Sequence, residues 1–404
     1  MRSDIFVGLE IGTSKTCMVV GEVKADSSVR ILGVGNTPSA GVRKGEIVDL
    51  KKVRACLKEA LHQAENEADV NIGAVLLSVS GSHIQSFNHS GTYRLRDDER
   101  EIDETHIDEA REMAKDAPLP AGNCLLHPIT RNFTVDGKDE VSNPFGMVGR
   151  TLDSECHIIH GISTRIETSI KAVREMPLEV DDIVYAPIAS ALSALTRDQK
   201  EEGALVIDMG GGTTDFALYL RGVIAASGTI PVGGDHVTND IHLIEKIPPA
   251  KAEEVKITEG DATASAVKSV GKIRVTDELG MIDLEIDRLR LNQIIRGRLE
   301  ETLKLIIKRL PKDALKNLGA GVFITGGGSR MAGFGELAEE MFGVPVYQQV
   351  DHHGISGVQN LFREPEYSTA IGLIRYAQFV LAERPNTKIT SKLGQFFKGL
   401  MHHR

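Results

Sequence analysis

A strand, an acid near its end, a Gly/Thr turn and a returning strand occur twice in this chain. The first copy is Ile5-Phe6-Val7-Gly8-Leu9-Glu10-Ile11, the turn Gly12-Thr13-Ser14-Lys15, and the β-branched run at residues 16–23. The second is residues 204–221, ALVIDMGGGTTDFALYLR. Each reads as a hairpin. Glu10 and Asp208 hold equivalent places, and a further strand-like run follows each hairpin, at residues 29–34 and 223–227. A chain of 404 residues exceeds what one core usually holds. The repetition therefore predicts two halves built on one supersecondary plan.

Such turns have a chemistry. Glycines at Gly12, Gly210, Gly211 and Gly212 let backbone N–H groups approach an anion. Thr13, Ser14, Thr213 and Thr214 add hydroxyl donors and Lys15 a charge. An acid at the strand end, Glu10 or Asp208, can hold Mg2+ through water, because that ion keeps part of its hydration shell. Two facing hairpins would clamp a nucleotide's phosphates. The alternative is that each is simply a tight glycine turn. Neither is a Walker loop, since G-x-x-x-x-G-K-[ST] is absent, and neither opens a helix as a dinucleotide-binding turn does. A third element follows: Val322-Phe323-Ile324-Thr325 as a strand, then Gly326-Gly327-Gly328-Ser329-Arg330, then a helix at residues 335–342. Three glycines there would let a flat ligand lie against the backbone.

Composition removes other classes. The net charge of −10 argues against a nucleic-acid partner, which needs a basic face. No apolar run approaches the roughly 18 residues of a spanning helix, and MRSDIFVGLEIG turns polar too early for a signal peptide. Cys17, Cys56, Cys124 and Cys156 are scattered, as free thiols of a reducing compartment would be. The histidines form no H-E-x-x-H or Cys/His cluster, so no structural metal is expected.

The three motifs, in this order, resemble those of the superfamily of actin, heat-shock chaperones and sugar kinases. GLEIGTSK is similar to its first phosphate motif, VIDMGGGTTDF to its second and VFITGGGSRMAG to its adenosine motif. Two Ala/Ser/Gly-rich segments, residues 186–195 and 367–377, resemble its connecting hinge helices. Four stretches narrow the resemblance to FtsA, the bacterial cell-division actin homologue: residues 230–241 with 252–260, residues 143–161 (NPFGMVGRTLDSECHIIHG), residues 41–50 (GVRKGEIVDL), and the tail. This implies an α/β, actin-like ATPase fold with two duplicated lobes, an FtsA-type 1C insertion and a C-terminal amphipathic helix. Subdomain 1A would take residues 1–82, 163–202 and 376–383; 1C residues 83–162; 2A residues 203–245 and 315–375; 2B residues 246–314. Residues 384–404 would be a linker and membrane-targeting helix. In 1C a helix is expected at residues 104–115, with strands from LLHPITRNFTVDG.

The same resemblance implies ATP and Mg2+ as cofactors. Glu253 and Lys256, at i and i+3 on one helix face, would meet ribose and adenine, although a solvated ion pair has the same spacing. Asp208 and Asp215 are the candidates for handling metal and attacking water. Glu10 stands where most of the superfamily carries Asp. Ala186, before Pro187, stands where actins and chaperones place Gln or Glu to orient the water, and Ala cannot do so. Such a loss costs ~10²–10⁴-fold in rate, so tight binding with slow or negligible turnover is expected.

Residues 289–310 read as an amphipathic helix with Ile295, Leu299, Leu303, Ile306 and Leu310 as its apolar stripe. Arg288, Arg290, Arg296 and Arg298 crowd the other faces. In FtsA-like proteins this subdomain receives the C-terminal peptide of the tubulin homologue FtsZ; the bland alternative is a solvated helix with i, i+4 partners. In the tail, Ile389, Leu393, Phe396, Phe397, Leu400 and Met401 make one helical stripe flanked by Lys392 and Lys398. It reads as a helix lying in an anionic membrane interface; the alternative is a terminal helix docked on its own core. The family implies filaments of this chain with itself, other division proteins on 1C, and a place on the cytoplasmic membrane face at the septum. A pilus-assembly platform of the same fold and a small-molecule kinase are the competing classes.

Overall fold

The computed structural model describes residues 4–383, apart from 25, 27, 97, 139, 277–282, 349–353 and 358–363. Two sheets carry the duplication. In the first, Lys15–Val23 lies between Asp4–Ile11 and Val29–Pro38, antiparallel to both. Beyond Asp4–Ile11, Ala74–Val79 and Glu179–Tyr185 continue it in parallel. In the second, Val223–Ile230, Thr214–Leu220 and Ala204–Met209 make the same antiparallel meander, continued in parallel by Gly321–Thr325 and Val346–Tyr347. The matching strand order puts the ends of both hairpins at one crevice. The strands are near-continuous apolar runs because helices cover them.

The helix Leu50–Ala68 shows why covering works. Asp49 caps it by accepting from Lys52 N, and it stops at Asp69, a left-handed residue with φ of 52°. Val53, Cys56, Leu57, Ala60, Leu61 and Ala64 recur at helical spacing and are buried. On the strand beneath, Gly35 leaves room for the helix: a Cβ there would sit 1.8 Å from Ala60 O.

The expected insertion is a separate unit. Ile84–Arg94, Thr151–Ile162, Asn123–Val135 and Glu140–Val141 pair in that order. The helix Glu104–Lys115 crosses them, capped reciprocally by Asp103 and His106, and buries Ile107, Ala110 and Ala114. LLHPITRNFTVDG supplies one long strand where several were expected.

One boundary needs correction. Residues up to 375 were assigned to the second lobe. Ile355–Gly357 instead pairs with Val29–Ile31 of the first sheet. The helix Ser368–Glu383 also lies on the first sheet, where Gly8 and Gly21 admit Ala370 and Ile374. The helical pattern was legible, but the sheet it covers depends on glycines some 350 residues away in sequence. The tail residues Ile389, Lys392, Leu393, Phe396, Phe397, Lys398, Leu400 and Met401 lie outside the described residues. Among the described residues, no helix is long and apolar enough to cross a membrane.

Candidate functional site

The two hairpin turns close alike. Gly12 N donates to Lys15 O at 2.9 Å, and Gly210 N donates to Thr213 O at 2.9 Å. Pairing of Glu10 with Cys17 and of Asp208 with Asp215 places the two strand-end acids in register. The turns face each other closely. A Cβ on Gly211 would lie 1.8 Å from Ser14 Oγ, and one on Gly212 2.3 Å from Thr13 Oγ1. Only glycine fits between them at positions 211 and 212. The third turn joins from the side: a Cβ on Gly326 would meet Asp208 Oδ1 at 2.2 Å. All three turns, with Glu253 and Lys256, line one cavity of about 470 Å³, within the usual range for small-molecule sites.

Charge is concentrated at its floor. Lys15 Nζ lies 2.5 Å from Glu10 Oε2. Burial raises the Glu10 carboxyl above its usual range, with Lys15 opposing and Asp208 adding to the shift. Burial pulls the Lys15 ammonium down, but Glu10, Cys17 and Asp208 together more than offset it and the net shift is upward. Asp208 accepts from Ser190 Oγ at 2.5 Å and Thr369 Oγ1 at 2.9 Å, both on Oδ2. Facing acids beside glycine turns are a donor set that suits a hydrated divalent cation bound with phosphates.

Asp215 is different. It is buried and held by Ser80 Oγ at 2.8 Å from the first lobe and by Thr229 Oγ1 at 2.5 Å from the second. Burial lifts its pKa to about 7; the Thr229 hydrogen bond opposes this, while Asp208 and Glu10 add to it. The folded chain therefore holds a proton that the unfolded chain releases near pH 4. Stability from this group is complete below pH 4 and is lost as pH rises to about 7. The loss is at most roughly 4 kcal/mol. His157, whose pKa burial and Arg131 hold at about 4, acts in the opposite direction. Asp215→Asn isolates the carboxyl: between pH 5 and pH 8 the urea midpoint should fall less, or rise more, in the variant than in the wild type. An unchanged difference would contradict this assignment.

Most sequence candidates meet here, but two do not face the cavity. Thr214 Oγ1 donates to Val232 O at 2.8 Å and Ser329 Oγ to Gly326 O at 2.7 Å, so both hydroxyls are spent on their own backbone. Lys256 Nζ reaches Glu253 Oε2 at 2.6 Å, Thr238 Oγ1 at 2.9 Å and Gly234 O at 3.3 Å. Lys256 is thus a buried anchor on the cavity wall, while the Glu253 side chain stays 44% exposed. Ala186 also lines the cavity.

Sequence reasoning missed Asn36, Ser80, Asp235 and Glu366, which line it too. Asp235 gave no local signal: it is brought there because its helix, Gly234–Glu245, packs on the second turn, with Gly234 N donating to Gly210 O and Asp235 N to Gly211 O. Gly233 makes that approach possible, since a Cβ there would lie 2.5 Å from both Gly210 O and Gly211 O.

The arginines of the helix Arg288–Ile307 do not form an open basic face. Arg288 pairs with Glu259 at 2.5 Å, and Arg290 grips Glu245 at 2.5 and 2.7 Å. Arg296 reaches Glu300 at 3.0 Å and Glu340 at 2.5 Å, while Arg298 grips Asp240 at 2.6 and 3.0 Å. A chain with excess acid neutralises its cations locally.

Comparison with known proteins now decides the family. The family model "Cell division protein FtsA" matches residues 205–372, and "SHS2 domain inserted in FTSA" matches residues 81–160. The cell division protein FtsA of Pseudomonas aeruginosa is 35% identical over 373 residues, covering 92% of this chain and 89% of that one. The chain belongs to the FtsA family of cell-division proteins. The Escherichia coli FtsA is 34% identical, covering 93% of this chain and 90% of that protein. Solved structures agree on an actin-like fold. The PilM–PilN type IV pilus biogenesis complex aligns at TM-score 0.63 and 18% identity, covering 92% of this chain and 98% of that one. MreB5 of Spiroplasma citri bound to ADP aligns at TM-score 0.56 and 15% identity, covering 95% and 99%.

Proposed function

We propose that this division protein binds ATP with Mg2+ between its lobes, holds it with little turnover, assembles with itself into actin-like filaments, and ties FtsZ to the membrane. One observation carries the reading: three glycine turns, separated by more than 100 residues each, meet around a single cavity with two strand-end acids. Gly12, Thr13, Ser14, Lys15 and Gly210–Thr213 would take the phosphates. Gly326, Gly327 and Gly328 would take the adenosine. Glu10 and Asp208 would hold the metal through water, and Glu253 and Lys256 would shape the ribose end. Bound Mg2+ would neutralise phosphate charge; the lobes position and enclose it. The MreB5 structure carries ADP, in keeping with a nucleotide in such a cleft.

The FtsZ arm rests on family membership, not on Arg288, Arg290, Arg296 and Arg298, which are engaged within the chain. An acidic FtsZ peptide would have to compete with Glu245, Asp240 and their neighbours. Contacts of the insertion with other division proteins are supported by its NPFGMVG loop, where Phe145, Met147 and Val148 are exposed.

Membrane attachment rests on the tail. Six apolar side chains offer at most roughly 6–12 kcal/mol, and ordering about a dozen residues takes back most of it. One tail holds weakly, whereas many on one filament hold through effective concentration. Full-length protein with ATP and Mg2+ should sediment with phosphatidylglycerol vesicles, and a chain ending at Glu383 should stay in the supernatant. Equal sedimentation of the two would overturn the tail reading.

A further inference from the structure

A small hairpin at the rim of the cleft carries a lysine in an unusual conformation. Val42–Arg43 pairs with Glu46–Ile47 around the two-residue turn Lys44-Gly45. Both turn residues are left-handed, with φ of 51° at Lys44 and 77° at Gly45. This is the geometry of tight hairpins that favour Asn-Gly, since a residue with a long side chain is disfavoured at positive φ.

The turn is fixed against the site. Gly45 N donates to Thr13 Oγ1 of the first phosphate turn at 3.1 Å, and Gly45 itself lines the cleft. A Cβ on Gly45 would stand 3.0 Å from Ser80 O, so the tip is wedged between Thr13 and the residue that holds Asp215. At its base, Val48 N and Asp49 N donate to Gly41 O, and Glu46 pairs with Arg165 at 2.9 Å. Lys44 is exposed, and among the described residues it has no ion-pair partner. Its charge nevertheless reaches across the cleft. His236, at the start of the second-lobe helix that packs on the second phosphate turn, is held below its ordinary pKa by burial first and then by Lys44.

We propose that Lys44 is a nucleotide-binding residue: its ammonium closes from the first lobe over the terminal phosphate of bound ATP. This rests on the reading of the cleft as an ATP site. The choice of phosphate follows from placement. The third glycine turn touches Asp208, Met209 and Glu366, whereas the hairpin touches Thr13 and Ser80. Phosphates that run from the third turn between the first two end nearest Lys44. A cation supplied by a fixed hairpin then distinguishes the triphosphate from the diphosphate and draws the lobes together when the terminal phosphate is present.

Lys44→Asn tests this cleanly. Asn suits the left-handed position, so the hairpin keeps or gains stability while the charge is lost. Affinities of the full chain for ATP and ADP, with Mg2+, are measured by calorimetry. Lys44→Asn should weaken ATP about tenfold, as expected for one lost charge-assisted contact, and change ADP by less than about twofold. Lys44→Arg should restore ATP binding. Wild-type affinity for ATP in Lys44→Asn, or equal losses for ATP and ADP, would overturn the role of Lys44 and leave the cleft reading intact. A wild-type chain that bound neither nucleotide would overturn both.

Discussion

Gly372→Ala should destabilise the protein by roughly 3 kcal/mol or more, among the larger effects of a single methyl group. The helices Ala186–Ala194 and Ser368–Glu383 cross at this point. A Cβ on Gly372 would lie 1.8 Å from Ala189 O and 2.3 Å from its carbonyl carbon. Both are backbone atoms, so no side chain can swing aside and the helices must separate. Their small residues permit this close contact. Separation would also disturb the site, because Ser190 and Thr369 come from these two helices and both donate to Asp208. Gly297→Ala is the control. It sits inside the helix Arg288–Ile307 with nothing within 4 Å of a new Cβ, and should stabilise by about 1 kcal/mol. Urea unfolding checks the pair; a loss under about 1 kcal/mol for Gly372→Ala would contradict the crossing as drawn.

Ala186→Gln should raise ATP turnover on the order of 10²-fold, the lower end of what a water-positioning group contributes. Ala186 opens the first of those helices and lines the cavity that also holds Asp208 and Asp215. A methyl group offers a water molecule neither donor nor acceptor. A carboxamide there supplies both, on a helix already fixed against the second sheet through Ser190. Phosphate release by the purified full chain measures it, alongside ATP affinity. Unchanged release with affinity intact would mean that the missing amide is not what limits the reaction.

These arguments also show what the sequence could and could not reveal. The hairpins were legible because strand, acid and glycine turn are local patterns, and their repetition implied two similar sheets. The helix Glu104–Lys115 was legible as a charged stretch that the Pro/Gly-rich APLPAGN breaks. The lobe to which Ser368–Glu383 belongs was not, since Gly8 and Gly21, far away in sequence, decide it. Thr214 and Ser329 fit a motif by type, but whether a hydroxyl faces a ligand or its own backbone depends on rotamer and neighbours. The four arginines looked like a basic face because their partners Glu245, Glu259, Asp240 and Glu340 lie on other elements. Asp235 was hidden because its place depends on a helix packing on the second turn.

The central claim is that the crevice between the lobes is an ATP–Mg2+ site. Calorimetric titration of the full chain with ATP, with and without Mg2+, tests it most directly. Saturable one-to-one binding in the micromolar range or tighter, markedly weakened when Mg2+ is chelated, is the expected result. No binding at millimolar ATP, or binding indifferent to Mg2+ and to the loss of the Asp208 carboxylate in Asp208→Asn, would contradict it.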